Sequence, residues 1–158
     1  MSRHPARATV AGRPAVGDDA RFCTDLTAAG YGSVTGVDFS LPALYQCQRY
    51  LAAAQPEHER QAARRAVSLV GGDLLRLPFR RQSFDLVLDK ATLDGIIGDG
   101  SAEAAERGVA ALCALWHVCA PHGALAVITL LEDPVVAALV TFFLKGGRDA
   151  RVEGCADE

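Results

Sequence analysis

Ser83-Phe84-Asp85-Leu86-Val87-Leu88-Asp89-Lys90-Ala91-Thr92-Leu93-Asp94 carries the decisive pattern of this chain. Phe84 to Leu88 is a short apolar run broken only by Asp85, as expected of a strand buried on both faces, and Asp89 closes it. Two runs of the same kind precede it. Ser33 to Val37 is β-branched and ends in Asp38, and Ala66 to Val70 is stopped by Gly71, Gly72 and Asp73. A fourth, Ala124 to Leu130, is the most strand-like segment of all.

Helical patterns lie between these runs. Asp18 or Asp19 caps a helix reaching about Ala29, where Gly30 supplies the stop. Ser40 caps a second, which tolerates Pro42 in its first turn and places Leu44, Cys47, Leu51 and Ala54 at helical spacing. A loop and short helix run from Lys90 through Ile97. Ser101 caps a long helix whose Val109, Leu112, Cys113, Trp116 and Cys119 form one stripe, ended by Pro121-His122-Gly123. Val135 to Leu144, with Phe142 and Phe143, reads as the last helix. Strands separated by helices pair in parallel through right-handed crossovers, which predicts an open α/β sheet covered on both faces. Ligands of such sheets sit beyond the carboxyl ends of the strands. Asp38, Asp73 and Asp89 each follow a strand at once, so three acids are expected along one rim.

At 158 residues the chain is the length of one domain. Hydrophobic residues make up 50% and charged residues 22%, an ordinary globular composition. A formal charge of −3 gives no basic field for nucleic acid, which is excluded as a partner. The longest apolar run, Val135 to Leu144, is well short of the roughly 20 residues that span a bilayer, so no membrane is expected. The five cysteines are odd in number, scattered and never spaced Cys-x-x-Cys, and read as reduced core thiols. His117 and His122 approach zinc-ligand spacing but lack the paired cysteines, so no metal is expected. Gly98-Asp99-Gly100 mimics a dinucleotide loop without a strand leading into it. Hydrolase elbows and phosphate-binding loops do not occur.

Residues 1–17 hold Arg3, Arg7 and Arg13 and no acid, whereas all 19 acids lie at Asp18 or beyond. Such a start suits a mitochondrial transit peptide, but Pro5, Gly12, Pro14 and Gly17 oppose a helix. The expected organisation is a disordered or atypical segment over 1–17 and a single domain over 18–158. The expected location is cytoplasmic, with mitochondria as the alternative.

An acid at the end of the second strand of a nucleotide-binding half can accept hydrogen bonds from both ribose hydroxyls. Asp38 holds that place. Ala29-Gly30-Tyr31 with Val34-Thr35-Gly36-Val37-Asp38-Phe39-Ser40, then Gly72-Asp73 with Leu77-Pro78-Phe79, then Ser83 to Asp94, together resemble the class I S-adenosylmethionine-dependent methyltransferases. The similarity covers roughly residues 18 to 131. It is strongest to the eukaryotic protein-lysine methyltransferases that modify elongation factor and citrate synthase, with Asp89-Lys90-Ala91-Thr92-Leu93-Asp94 the most specific string. The resemblance implies a Rossmann-like, mostly parallel sheet with S-adenosylmethionine as cofactor and a protein as substrate. Asp38 would bind the ribose, Phe39 lie near the adenine, and Asp73 and Leu74 hold the adenine edge. Asp89 and Lys90, the catalytic candidates, would border the methionine end and the entrance for the substrate lysine.

The chain departs from the pattern at both ends. The family's glycine loop after the first strand matches Val16-Gly17-Asp18-Asp19, which leaves Gly17 as the candidate for close cofactor approach. Gly12, Arg13 and Pro14 fall where a central strand would run, so a normal first strand is expected to be lacking, as are the last two strands. A poor catalyst follows from that reading. The alternatives to a methyltransferase are a non-catalytic module with the same sheet and, further off, a nicotinamide-dependent oxidoreductase.

Overall fold

The computed structural model describes residues 6–12, 18–53 and 66–144. Its strands are β1 (Arg7–Gly12), β2 (Ser33–Asp38), β3 (Val67–Gly71), β4 (Phe84–Lys90) and β5 (Cys119–Ile128). Its helices are α1 (Asp18–Ala28), α2 (Leu41–Ala53), α3 (Thr92–Ile97), α4 (Ala102–Val118) and α5 (Asp133–Leu144), with one 3-10 turn at Leu74–Arg76. The strands form one sheet in the order β3-β2-β1-β4-β5, and every pairing is parallel. Each of the four strands read from the sequence is present.

One expectation is corrected. A first strand exists, and it is the centre of the sheet: β1 pairs with β2 on one side and β4 on the other. Residues 7–12 are therefore strand, where disorder or an atypical start was expected over 1–17. The physical reason is that β1 spans Arg7–Gly12 and holds no proline, so none of its ladder hydrogen bonds is lost to one; Arg13 and Pro14 lie outside the described residues. Polar residues inside β1 find partners. Thr9 is buried and its hydroxyl donates to the Thr35 carbonyl at 3.1 Å, while the Arg7 N–H donates to Asp85 Oδ2 at 2.8 Å.

Local signals place the helices as the sequence predicts. Gly30 ends α1 at φ +98°, a left-handed conformation that glycine adopts without strain, with Gly30 N–H bonded to Thr27 and Tyr31 N–H to Leu26. Ser101 Oγ accepts the Ala104 N–H at 3.1 Å and caps α4. The end of α4 differs from expectation. The helix stops at Val118, and Pro121 to Gly123 lie inside β5, where the register to β4 jumps from Phe84↔Cys119 to Leu86↔Ala124. The ladder is irregular there, and β5 is the edge strand of the sheet, where a proline is tolerated. The fully buried face of α4 also sits beside the predicted stripe. It comprises Ala104, Gly108, Ala111, Leu112, Leu115 and Val118, with Cys113 and Trp116 half-buried at its edge.

Two apolar cores result, one per face. Phe84, Val87, Leu93, Ile97, Leu112, Leu115, Val135 and Phe142 pack where α3, α4 and α5 cover the sheet. Ala8, Cys23, Val34 and Leu88, with Phe22 and Leu26 of α1 around them, fill the other side. Phe142 is buried against Trp116 with ring centroids 6.4 Å apart, whereas its neighbour Phe143 is exposed.

Candidate functional site

The chain runs outward from β1 through β2 to β3, then returns to place β4 on the opposite side of β1. Crossovers before and after that reversal leave the sheet in opposite directions, and the crevice between them at the carboxyl ends of β1 and β4 is where ligands of open α/β sheets bind. The predicted residues fall on this end of the sheet. Asp38 is the last residue of β2, Asp73 follows β3, and Asp89 and Lys90 end β4.

The acids do not share one environment. Val37, Ala11, Asp89 and Val127 lie at one level of the sheet, and Asp38, Gly71, Lys90 and Ile128 belong to the next. Residues one step apart along a strand point to opposite faces, so Asp38 and Lys90 project to the face of α1 and Asp89 to the face of α3 and α4. That parity separates Asp38 from Asp89 and brings Asp38 towards Asp73, since the Gly72 N–H donates to the Asp38 carbonyl at 3.0 Å.

Asp38 is 7% exposed, and its Oδ1 accepts the Ser40 N–H at 2.7 Å. Burial raises its pKa above the usual carboxylate range, and the Ser40 N–H opposes the rise. Phe39, next to it, is 71% exposed at the end of the sheet. Asp73 is exposed, and its Oδ1 accepts the Leu75 N–H at 3.0 Å, capping the 3-10 turn. Leu74 is buried in the core with Phe84 and Val87, which leaves its backbone as the part that can meet a ligand. Gly17 lies outside the described residues.

Asp89 is fully buried. Its Oδ2 accepts the Leu93 N–H at 3.3 Å from the first turn of α3, a turn that begins at Ala91 in the left-handed region (φ 58°) with no side-chain cap. Burial pushes the Asp89 carboxyl up to about 6; the nearby Thr92 hydroxyl and the Leu93 N–H pull it down, and the Asp94 carboxylate adds to the rise. On sequence Asp94 is only the last residue of the string that follows β4. In the structure Asp94 reaches across to the exit of β5, where its Oδ1 accepts the Thr129 hydroxyl at 2.6 Å and the Leu130 N–H at 2.9 Å. The signal for this was an acid in a polar string between two apolar strands, and spacing alone does not reveal a partner 35 residues away.

Among the described residues no cluster of three or more His, Cys, Asp or Glu side chains could hold a metal ion, and no helix is long and apolar enough to cross a membrane.

A parallel sheet with this order, carrying an acid at the end of β2 and another near the end of β4, is a Rossmann-like domain. Residues 15–127 match the family described as methyltransferase domain, and the chain belongs to that family. S-adenosylmethionine is the cofactor that goes with it. No curated protein matches the chain.

Among solved structures, a putative methyltransferase from Bacillus halodurans is 12% identical, with a TM-score of 0.59 over 93% of this chain and 55% of that one. An S-adenosylmethionine-dependent methyltransferase from Mesorhizobium loti is 20% identical, with a TM-score of 0.52 over 77% and 45%. The (4+2) cyclase SpnF is 18% identical, with a TM-score of 0.59 over 87% and 51%. At these identities the likeness is one of fold. The chain spans about half the length of the solved proteins it matches.

Proposed function

We propose that this chain binds S-adenosylmethionine at the carboxyl ends of β1, β2 and β4 and transfers its methyl group to a lysine amine of a protein. The observation that carries the reading is Asp38: a carboxylate at the end of β2, 7% exposed, with Oδ1 held by the Ser40 N–H, beside an exposed aromatic ring. A pair of ribose hydroxyls can donate to such a carboxylate, and Phe39 offers a flat apolar face to a base. The residues present therefore fit the adenosine half of the cofactor.

When bound, the cofactor supplies a sulfonium methyl open to in-line attack by a neutral amine. The protein's part is orientation and exclusion of water. Asp38 fixes the ribose, Phe39 and the backbone at Asp73 and Leu74 flank the adenine, and Gly17 permits close approach of the loop after β1. Asp89 and Lys90 stand at the crevice between β1 and β4, on the side of the methionine end and the acceptor. Asp89, being buried, acts there through its charge and through the α3 turn it holds. The lysine acceptor rests on the likeness of the Asp89 to Asp94 string to the lysine-modifying branch.

A second reading, a cofactor-binding module without methyl transfer, is favoured by that same burial, since no carboxylate at the end of β4 is open to take a proton from an acceptor. Incubation of the chain with radiolabelled S-adenosylmethionine and a cell extract separates the two. Label in a protein band, recovered as methyl-lysine after hydrolysis, supports transfer; cofactor binding with no labelled protein supports the module.

A further inference from the structure

The last helix is apolar on every side. From Pro134 to Leu144 the sequence of α5 holds no charged residue, and a helix that is hydrophobic all round is one that is covered all round. Among the described residues only one side is covered. Val135, Ala138 and Phe142 are buried where α5 packs on α4 and α3, whereas Val136, Val140, Phe143 and Leu144 recur at helical spacing on nearly the opposite side and are 37% to 82% exposed. Leu130 and Leu131, in the segment leading into the helix, are exposed as well. The Val135 and Val136 N–H groups bond to the Glu132 carbonyl and tie that segment to the first turn of α5. From the other end Asp94 Oδ1 accepts the Thr129 hydroxyl and the Leu130 N–H, while Thr129 Oγ1 accepts the Leu131 N–H at 3.1 Å. Leu131 stands at φ 60°, a left-handed conformation unfavourable for a residue with a Cβ, so these bonds hold two leucines in solvent in a fixed geometry.

The candidates for the cover differ in chemistry. Half of residues 145–158, which follow α5 in the sequence, are charged, a poor match to an uncharged stripe. An anionic membrane is disfavoured by Glu132 and Asp133 at the start of the helix and by the lack of any Lys or Arg over residues 128–144. Interfaces with transient partners are about as polar as the rest of a protein surface, whereas homodimer interfaces are more apolar. The six exposed side chains offer on the order of 600 Å² per copy, so a pair has roughly 1,200 Å² to bury before backbone and rim are counted, the threshold of the ~1,200–2,000 Å² of a stable interface. We propose that a second copy of this chain covers the outer side of α5, the stripe and the Leu130–Leu131 segment meeting the same surface of the partner across a two-fold axis. The pairing is independent of which acceptor is methylated.

Sedimentation velocity on the full chain at increasing concentration is the test. We expect a species of twice the chain mass to build up in the micromolar range, and a thermal midpoint that rises with concentration because association stabilises the folded state. Val140→Glu and Phe143→Glu, both at exposed positions, are expected to stay monomeric and to lose the concentration dependence. Tyr45→Glu, at an exposed aromatic of α2, is expected to dimerise like the parent. A parent that stays monomeric up to ~100 µM would overturn the proposal, whether the stripe is then covered from within the chain or open to a different protein. A dimer that persists in both α5 variants would overturn it too, by putting the interface elsewhere. If the variants fail to fold, hydrogen–deuterium exchange in the parent still decides: slower exchange of residues 130–144 at high concentration supports the interface, and exchange there that ignores concentration contradicts it.

Discussion

Asp38 and Asp89 are both carboxylates at strand ends, yet they answer to different physics. The sequence shows where each strand stops, so Asp38, Asp73 and Asp89 are all legible as rim residues; the face each one takes depends on register, which shifts by a single residue and leaves no mark in composition. Asp89 is the one with consequences for stability. Its pKa rises from 3.8 to about 6 on folding, so between these values the folded state binds more protons than the unfolded chain. Stability from this group is fully present below about pH 4 and is lost as pH rises through about 6, by up to about 3 kcal/mol. Urea unfolding from pH 4 to 7 is expected to show that decline, and Asp89→Asn is expected to flatten it. An equal slope in both proteins would remove Asp89 as its source.

Elements with strong local signals were readable, and those held by tertiary contacts were not. Gly30, Ser40 and Ser101 bound their helices through bonds the chain makes with itself, so propensity suffices to place them. Replacing Ser101 with Ala is expected to cost about 1 kcal/mol in urea unfolding, the usual loss for a serine cap. β1 carries no such signal: Arg7 and Thr9 interrupt its pattern, and their partners, Asp85 and Thr35, lie 78 and 26 residues away. The face of α4 shifted for a similar reason. Gly108 is buried where Ile97 of α3 presses on the helix, and a Cβ there would sit 2.5 Å from Ile97 Cδ1. Gly108→Ala therefore sets a gain in helix propensity of about 1 kcal/mol against overpacking of about 1 to 3 kcal/mol. We expect a net loss of stability; a thermal midpoint above the parent's would show that α3 yields.

At the scale of the whole molecule, β1 makes the site. With β2 on one side and β4 on the other, it sets the switch in chain direction and keeps the rim acids at fixed heights. Ala8, fully buried in β1, tests this: Ala8→Asp puts an unpaired carboxylate into the core, costs several kcal/mol and is expected to abolish the cooperative unfolding transition. The sheet order was legible as a class, because alternating strands and helices permit few arrangements, while the place of the first strand was not. The proposed adenosyl site depends most directly on Asp38, and titration calorimetry reads it. The unaltered chain is expected to bind S-adenosylhomocysteine and not NAD, and Asp38→Ala is expected to weaken that binding by about 1.5 to 3 kcal/mol, roughly ten- to a hundredfold, with little change in thermal midpoint. Equal affinity in the variant, or no heat of binding in the parent, would contradict the assignment of this rim as an adenosyl site.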